Sequence, residues 1–472
     1  MRRIGTLCPN VKACWLITGA AKQQRAISVN VGYPETPNGT GLTNSELSNQ
    51  WKSINWSAVN ETVNNLQSRL ARAAKNCNWF KVRKLIRLLT SSHHAKLLSV
   101  KTVTENKGGK TSGIDGILWT SAAAKMRAAL SLADKRYKAK PLKRVYIPKK
   151  NGKMRPLSIP TLYDRAMQTL YALAISPIEA STGDLTSFGF RKFRSTKDAF
   201  AYTHICLSCK RSAEYILEGD IKSCFDMISH DWLLNNIPIK KSILSQFLKA
   251  GYFENGILFP TEKGAPQGSP LSPILANMTL NGMEAELGRI FYSQKNGKID
   301  KNNCNKHKVN YVRYADDLII TADSEETLLK TKEIISRFLE LRGLSLSDEK
   351  TTITHISKGF DFLGWNFRKY NGKFLPKPSK GSQKSIIQKI REIIHQGRTW
   401  SQERLIATLN PIIRGWFLCH KHAVSSDVFR RLDHIVWCML YAWAKRRHHN
   451  KGKIWIVHKY WLRLGIENGR LR

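Results

Sequence analysis

"YVRYADDLII" at 311–320 sets two adjacent carboxylates, Asp316 and Asp317, between two runs of strand-forming apolar residues. Such a pattern reads as a strand hairpin with acids at its tip. Two like charges side by side repel and raise each other's proton affinity unless a cation sits between them. A metal answers that need. Upstream, "EYILEGDI" at 214–221 is a second strand, ending in Asp220, with a turn into "SHDWLLNNI" after it. Asp220 can therefore sit on a strand that adjoins the hairpin. Three carboxylates on neighbouring strands can hold two Mg²⁺ ions about 4 Å apart, activating an attacking hydroxyl and neutralising a leaving pyrophosphate. The reaction class this points to is nucleotidyl transfer. "ADD" alone would also fit an ordinary turn, and it is Asp220 that tells against that reading.

The composition agrees with a nucleic-acid substrate. Across 472 residues there are 77 Lys and Arg against 35 Asp and Glu, a formal charge of +42. That is far more than solubility requires, and it implies a polyanionic partner. A hydrophobic content of 42% supports a sizeable core spread over two or three domains. No run of about 18 apolar residues occurs, so no membrane role is expected. Nine scattered cysteines suit a reducing compartment better than a disulfide framework. Cys206 and Cys209 in "CLSC" lack the second pair or His cluster that a zinc site needs, and read as incidental. The first 34 residues contain no acid. They read as an unstructured leader, with an organellar transit peptide or a basic RNA-touching extension also open.

Outward from the hairpin, strand-like runs ("EYILEGDI", "TTITHI", "FDFLGWNF") alternate with helical ones over 200–366, which predicts an α+β domain with a mainly antiparallel sheet. Residues 35–50 are polar and read as a linker. Two amphipathic helices follow: Val59, Val63, Leu66 and Leu70 line the first, and Val82, Leu85, Ile86 and Leu89 the second. Arg83, Lys84 and Arg87 on the second form a basic outer face suited to RNA. "NKGGKTSGIDG" at 106–116 is a Gly-rich loop, and "IPKKNGKMRPLSIP" at 147–160 turns at Asn151-Gly152. After "KPSKGS" at 377–382, a hinge, the chain reads as helical. Residues 380–472 carry 19 Lys and Arg against 5 Asp and Glu, with Trp416, Trp443, Trp455 and Trp461 interleaved. Most of those tryptophans are expected in the core, and the basic rim is expected to meet phosphate.

"YADD" within this setting resembles the catalytic box of reverse transcriptases, specifically those encoded within group II introns, also called maturases. The resemblance runs over roughly 50–472. In chain order, "NKGGKTSGIDG", "GKMRPLSIP" and "FGFRKFRSTKDA" (188–199) resemble the N-terminal and fingers motifs; "LEGDIKSCFD" resembles palm motif A, and "GAPQGSPLSPILANMTL" (264–280) the nucleotide-pocket motif. "LSLSDEKT" and "FLGWNF" resemble the two motifs after "YADD", and "LNPIIRGWFLCHKH" (409–422) resembles maturase domain X.

The resemblance implies a right-hand polymerase, with fingers and palm built on an antiparallel sheet and an all-α thumb and maturase (X) domain behind them. The implied division is a leader and linker over 1–50, fingers and palm with an N-terminal helical extension over 51–375, and thumb with domain X over 376–472. Asp220, Asp316 and Asp317 would be the catalytic acids and metal ligands, with two Mg²⁺ ions as cofactor. Phe225 would lie under the sugar of the incoming nucleotide, where a 2′-OH would clash. Arg155, with Lys149 or Lys153, would hold the triphosphate, Gln267 would pack near the nucleotide, and Lys350 would stand near the primer end. Arg191, Arg194, Arg414, Lys445, Arg446 and Arg447 join the helix residues as expected RNA contacts. Expected partners are the group II intron RNA, an RNA template with a DNA primer, target DNA and deoxynucleoside triphosphates. The expected activity is RNA-directed DNA polymerisation together with assistance to splicing and retrohoming, in a bacterial cytoplasm or, alternatively, an organelle. Many relatives continue past domain X into a His/Asn/His endonuclease; the sequence stops at Arg472, so no target-strand cleavage is expected. Two rivals stay open: a splicing chaperone with a dead polymerase, and a CRISPR-associated or other-system reverse transcriptase.

Overall fold

The computed structural model describes residues 41–148, 152, 154–294 and 296–461. The first described helix, Asn44–Lys52, occupies part of the stretch read as a linker. Next, Asn55 caps Trp56–Lys75 by accepting from the amides of Ser57 and Ala58, and Asn78 caps Trp79–Ser91 by accepting from that of Lys81. The apolar stripes expected on both helices are buried. Together with His93–Glu105 they pack on Leu162–Thr182. That helix buries residues all round its circumference, as an element enclosed by others must. The Gly-rich loop is tied to the same helix: Arg165 donates to the carbonyls of Gly108 and Thr111.

Eight strands form two four-stranded sheets: β1 (Leu142–Pro148), β2 (Met154–Ile159), β3 (Tyr215–Asp220), β4 (Tyr252–Glu254), β5 (Ile257–Phe259), β6 (Asn310–Tyr314), β7 (Asp317–Ala322) and β8 (Thr352–His355). The first has the order β2-β1-β4-β5 and contains one parallel pair, β1 with β4. The second, β6-β7-β3-β8, is antiparallel throughout.

Period-two alternation explains why the strands of this second sheet read as continuous apolar runs. Tyr311, Leu217, Leu318 and Ile320 point into the large core shared with the helices. Val312, Ile216 and Ile319 point into a second core with Phe188, Phe200, Trp365 and Phe367. Covered on both faces, the sheet holds its C-terminal and turn ends in a fixed place.

The expected hinge is structured. Lys377–Pro378 pairs with Trp365 and Asn366, and Ser379 caps the next helix, Lys380–Gln396, through the Ser382 amide. Helices Gln402–His420, Ser426–Arg447 and Lys453–Trp461 complete a bundle around Ile386, Ile390, Leu405, Leu409, Leu432 and Trp443. Trp443 is core, and its indole donates to Gly397 O at 2.9 Å; Trp455 is exposed. No described helix is long and apolar enough to cross a membrane.

Candidate active site

The hairpin expected at 311–320 is β6–β7, closed between Tyr314 and Asp317. In register, Asp317 also stands opposite Asp220 on β3. Hence the three acids expected to act together share one end of the sheet, Asp316 in the turn and the others on adjoining strands.

The turn is sharp enough that Ala315 adopts a left-handed backbone with φ 59°. For a residue with a side chain that conformation costs on the order of 1–3 kcal/mol and persists only where neighbours enforce it. Two neighbours do. Segment 186–188 runs along β6, with Phe188 N donating to Arg313 O at 2.9 Å and Arg313 N to Thr186 O at 3.0 Å. This brings Gly189 so near that a Cβ there would lie 2.3 Å from Ala315 N. Beneath the turn, the fully buried Arg313 donates to Ala315 O (3.2 Å), Asn277 Oδ1 (3.1 Å) and Asn281 Oδ1 (3.1 Å). Sequence reasoning did not single out Arg313; a cation in the middle of an apolar strand was the available signal.

Burial raises the proton affinity of Asp316, and the charge of Asp220 adds to it. Partial burial of the carboxyl, then the charges of Asp316 and Asp220, push Asp317 up to about 6. Asp317 as a residue is still exposed, so water screens part of this effect. One cation is in contact: Lys350 Nζ lies 2.7 Å from Asp220 Oδ2, and that hydrogen bond holds the lysine's pKa above its ordinary value. Among the described residues no three His, Cys, Asp or Glu side chains stand ready-arranged around one metal ion. The acids are gathered without being closed into a ligand shell. Their chemistry nonetheless fits divalent cations: the donors are all carboxylate oxygens, and their mutual repulsion is what such a charge relieves.

Beside the acids lies a cluster of linked polar side chains. Phe225, on the short helix Cys224–Met227, meets Phe190 edge-on at 5.9 Å. Its carbonyl accepts from Ala265 N at 2.6 Å. Gln267 links three parts of the chain. Its Nε2 donates to both oxygens of Asp226 at 3.2 Å, its Oε1 accepts from Arg155 Nε at 2.8 Å, and its carbonyl accepts from Ser158 N at 2.8 Å. At Gly268, φ is +114°, and a Cβ would come within 3.0 Å of Ser158 O. Arg155, Gln267 and Phe225 are thus brought together, as expected, with Asp226 as the member sequence reasoning missed; its adjacency to Phe225 was the only hint. Lys149 and Lys153 lie outside the described residues.

The expected RNA contacts divide. Arg83, Lys84, Arg87, Arg194, Arg414, Lys445 and Arg446 are exposed. Arg447 is exposed too, but it donates to the carbonyls of Arg398 and Trp400. Arg191 is a correction. It is buried in an ion pair with Glu179 at 2.8 Å, with side-chain exposures of 6% and 4%, and donates to the carbonyls of Asp184 and Ser187. A buried, fully engaged guanidinium braces the fold and is not available to phosphate. Cys206 and Cys209 are free thiols.

Three family descriptions match this chain in succession: the N-terminal domain of reverse transcriptase over 51–132, reverse transcriptase (RNA-dependent DNA polymerase) over 147–367, and the group II intron maturase-specific domain over 383–461. The chain is 31% identical to protein YkfC of Escherichia coli over 336 residues, covering 64% of this chain and 87% of that one. It is 30% identical to the group II intron-encoded protein LtrA of Lactococcus lactis over 437 residues, covering 74% and 72%. Maturase-like protein 1 of Euglena gracilis is 26% identical, covering 72% and 70%. Among solved structures, a telomerase from Candida albicans with a telomeric RNA fragment superposes with a TM-score of 0.38 at 13% identity, over 71% of this chain and 66% of that one.

Proposed function

The chain belongs to the group II intron-encoded reverse transcriptases, and from that premise we propose that Asp220, Asp316 and Asp317 are the acids with which it copies RNA into DNA. The observation that carries this reading is the register: Asp317 opposite Asp220, with Asp316 next in the turn. The linked side chains of Arg155, Gln267 and Asp226, with Phe225 beside them, adjoin these acids. Bound Mg²⁺ held by the three carboxylates would supply activation of the primer 3′-hydroxyl and neutralisation of the departing pyrophosphate.

The protein's own groups do the rest. Arg155 holds phosphate oxygens through charge-assisted hydrogen bonds, and its tie to Gln267 fixes its orientation. Phe225, backed by Phe190, occupies the space a ribose 2′-hydroxyl would need, which favours deoxynucleotides. Lys350 keeps Asp220 paired while no substrate is present, and it can turn to the primer phosphate when one arrives.

The second activity is assistance to splicing of the host intron. The RNA performs the transesterifications, and the protein's basic surfaces screen the repulsion between packed RNA helices. Intron RNA, target DNA and deoxynucleoside triphosphates are then its partners. The product cDNA completes retrohoming, and the work is done where the intron is transcribed, in a bacterial cytoplasm or an organelle.

Asp316→Ala with Asp317→Ala tests the separation. DNA synthesis should vanish while intron binding and splicing assistance stay near wild type; loss of both together would refute two separable activities.

A further inference from the structure

Away from the polymerase acids, a cleft of about 510 Å³ opens between helix Trp79–Ser91 and residues 234–241. Trp79, Arg83 and Arg87 form one wall, and Lys240 and Lys241 stand on the other. Trp79 is 43% exposed and has no ring partner among the described residues. Large aromatics are normally buried, and an indole held open to solvent at the mouth of a cleft is available to a ligand.

The charges around it are equally uncommitted. Among the described residues, the side chains of Arg83, Arg87 and Lys240 have no hydrogen-bond or ion-pair partner. Lys241 donates only to the neutral Asn235 Oδ1, at 2.8 Å. The one carboxylate in the lining, Asp134, is occupied, accepting from the Tyr171 hydroxyl at 2.6 Å. Four cations therefore face a space beside an unpartnered indole, against the single carboxylate of Asp134.

We propose that this cleft binds one unpaired nucleotide of a folded RNA, its base stacked on Trp79 and its flanking phosphates held by Arg83, Arg87 and Lys240. The proposal rests on the RNA-binding reading above and names where and how one strand is gripped. An RNA duplex cannot present a base face to Trp79, whereas a loop or bulge can splay one out. Stacking of this kind is sequence-tolerant, and its strength corresponds to about tenfold or more in affinity per base.

The test uses the full chain and a 12-residue oligouridylate carrying a central 4-thiouridine. Irradiation should cross-link it to peptides containing 79–87 or 235–241. Trp79→Ala should cut that cross-link and weaken binding about tenfold, Trp79→Phe should keep both within about twofold, and a 12-base-pair RNA duplex should bind all three proteins alike. Arg83→Gln and Lys240→Gln should each lower the salt slope by about 0.7. Cross-links found only elsewhere, or Trp79→Ala weakening duplex and single strand equally, would overturn the site. A wild-type protein that bound neither RNA would instead fail the RNA-binding reading itself. Circular dichroism melts of the variants show that any loss is not unfolding.

Discussion

At the scale of single residues, Asp317 makes the most direct physical claim. Its carboxyl is raised to about 6 in the folded chain against an ordinary value of 3.8. A raised carboxylate favours folding below the unfolded pKa, and that contribution is lost as pH rises through the folded one. Metal-free protein should therefore lose stability between about pH 4 and 6, and Asp317→Asn should stabilise it at pH 7 by about 1 kcal/mol, a value reduced for the residue's exposure. Thermal melts in a chelator, at pH 4 and 7, measure both; a destabilised Asp317→Asn at pH 7 would refute the repulsion. Phe225→Val should raise the ratio of ribonucleotide to deoxynucleotide incorporation, and an unchanged ratio would remove the sugar-gate role. That the three acids gather could be read from sequence, because two acids at a hairpin tip and one at a strand end leave a visible pattern, whereas Phe225 and Gln267 were expected only through the resemblance of their motifs. Asp226 and Arg313 could not be read there, since their roles depend on what the fold places over and under them.

At the scale of elements, the hairpin turn is shaped from below by Arg313 and from the side by segment 186–190. Replacing Arg313 with Met would strip the donors from Ala315 O, Asn277 and Asn281 in a buried setting, at a cost of about 2–4 kcal/mol. Lysine should rescue little, because a point charge cannot span both asparagines. Denaturant titration beside single-turnover extension checks this, and full activity in Arg313→Met would show that the turn holds itself. Gly189→Ala should impair extension as well, its methyl group meeting Ala315 N. Sequence reading placed the hairpin, β3 and the amphipathic helices because period two and period 3.6 leave visible stripes. Two stretches read otherwise. Arg191 looked like surface because basic residues flank it, yet a glutamate twelve positions earlier draws it inside. The hinge at 377–382 looked loose because Pro, Gly and Ser fill it, but two of its residues pair with the strand in "FDFLGWNF", a partnership that no local pattern in the hinge reveals.

At the scale of the whole molecule, the sequence carries a formal charge of +42, and few of the cations among the described residues are buried. Replacing Arg414, Lys445 and Arg446 with glutamine should lower the slope of log affinity for RNA against log salt by about two, at about 0.7–0.9 per lost phosphate contact. An unchanged slope would place the RNA on other surfaces. The family could be read from the order of motifs, while the site's closure depends on partners absent from the sequence. The decisive measurement is primer extension on an RNA template with Mg²⁺ and deoxynucleotides, comparing wild type with Asp317→Asn. Extension by wild type alone is the predicted result, and it would make the paired acids the centre of DNA synthesis. Equal extension by both proteins, or none by a wild type that still binds the template tightly, would contradict it.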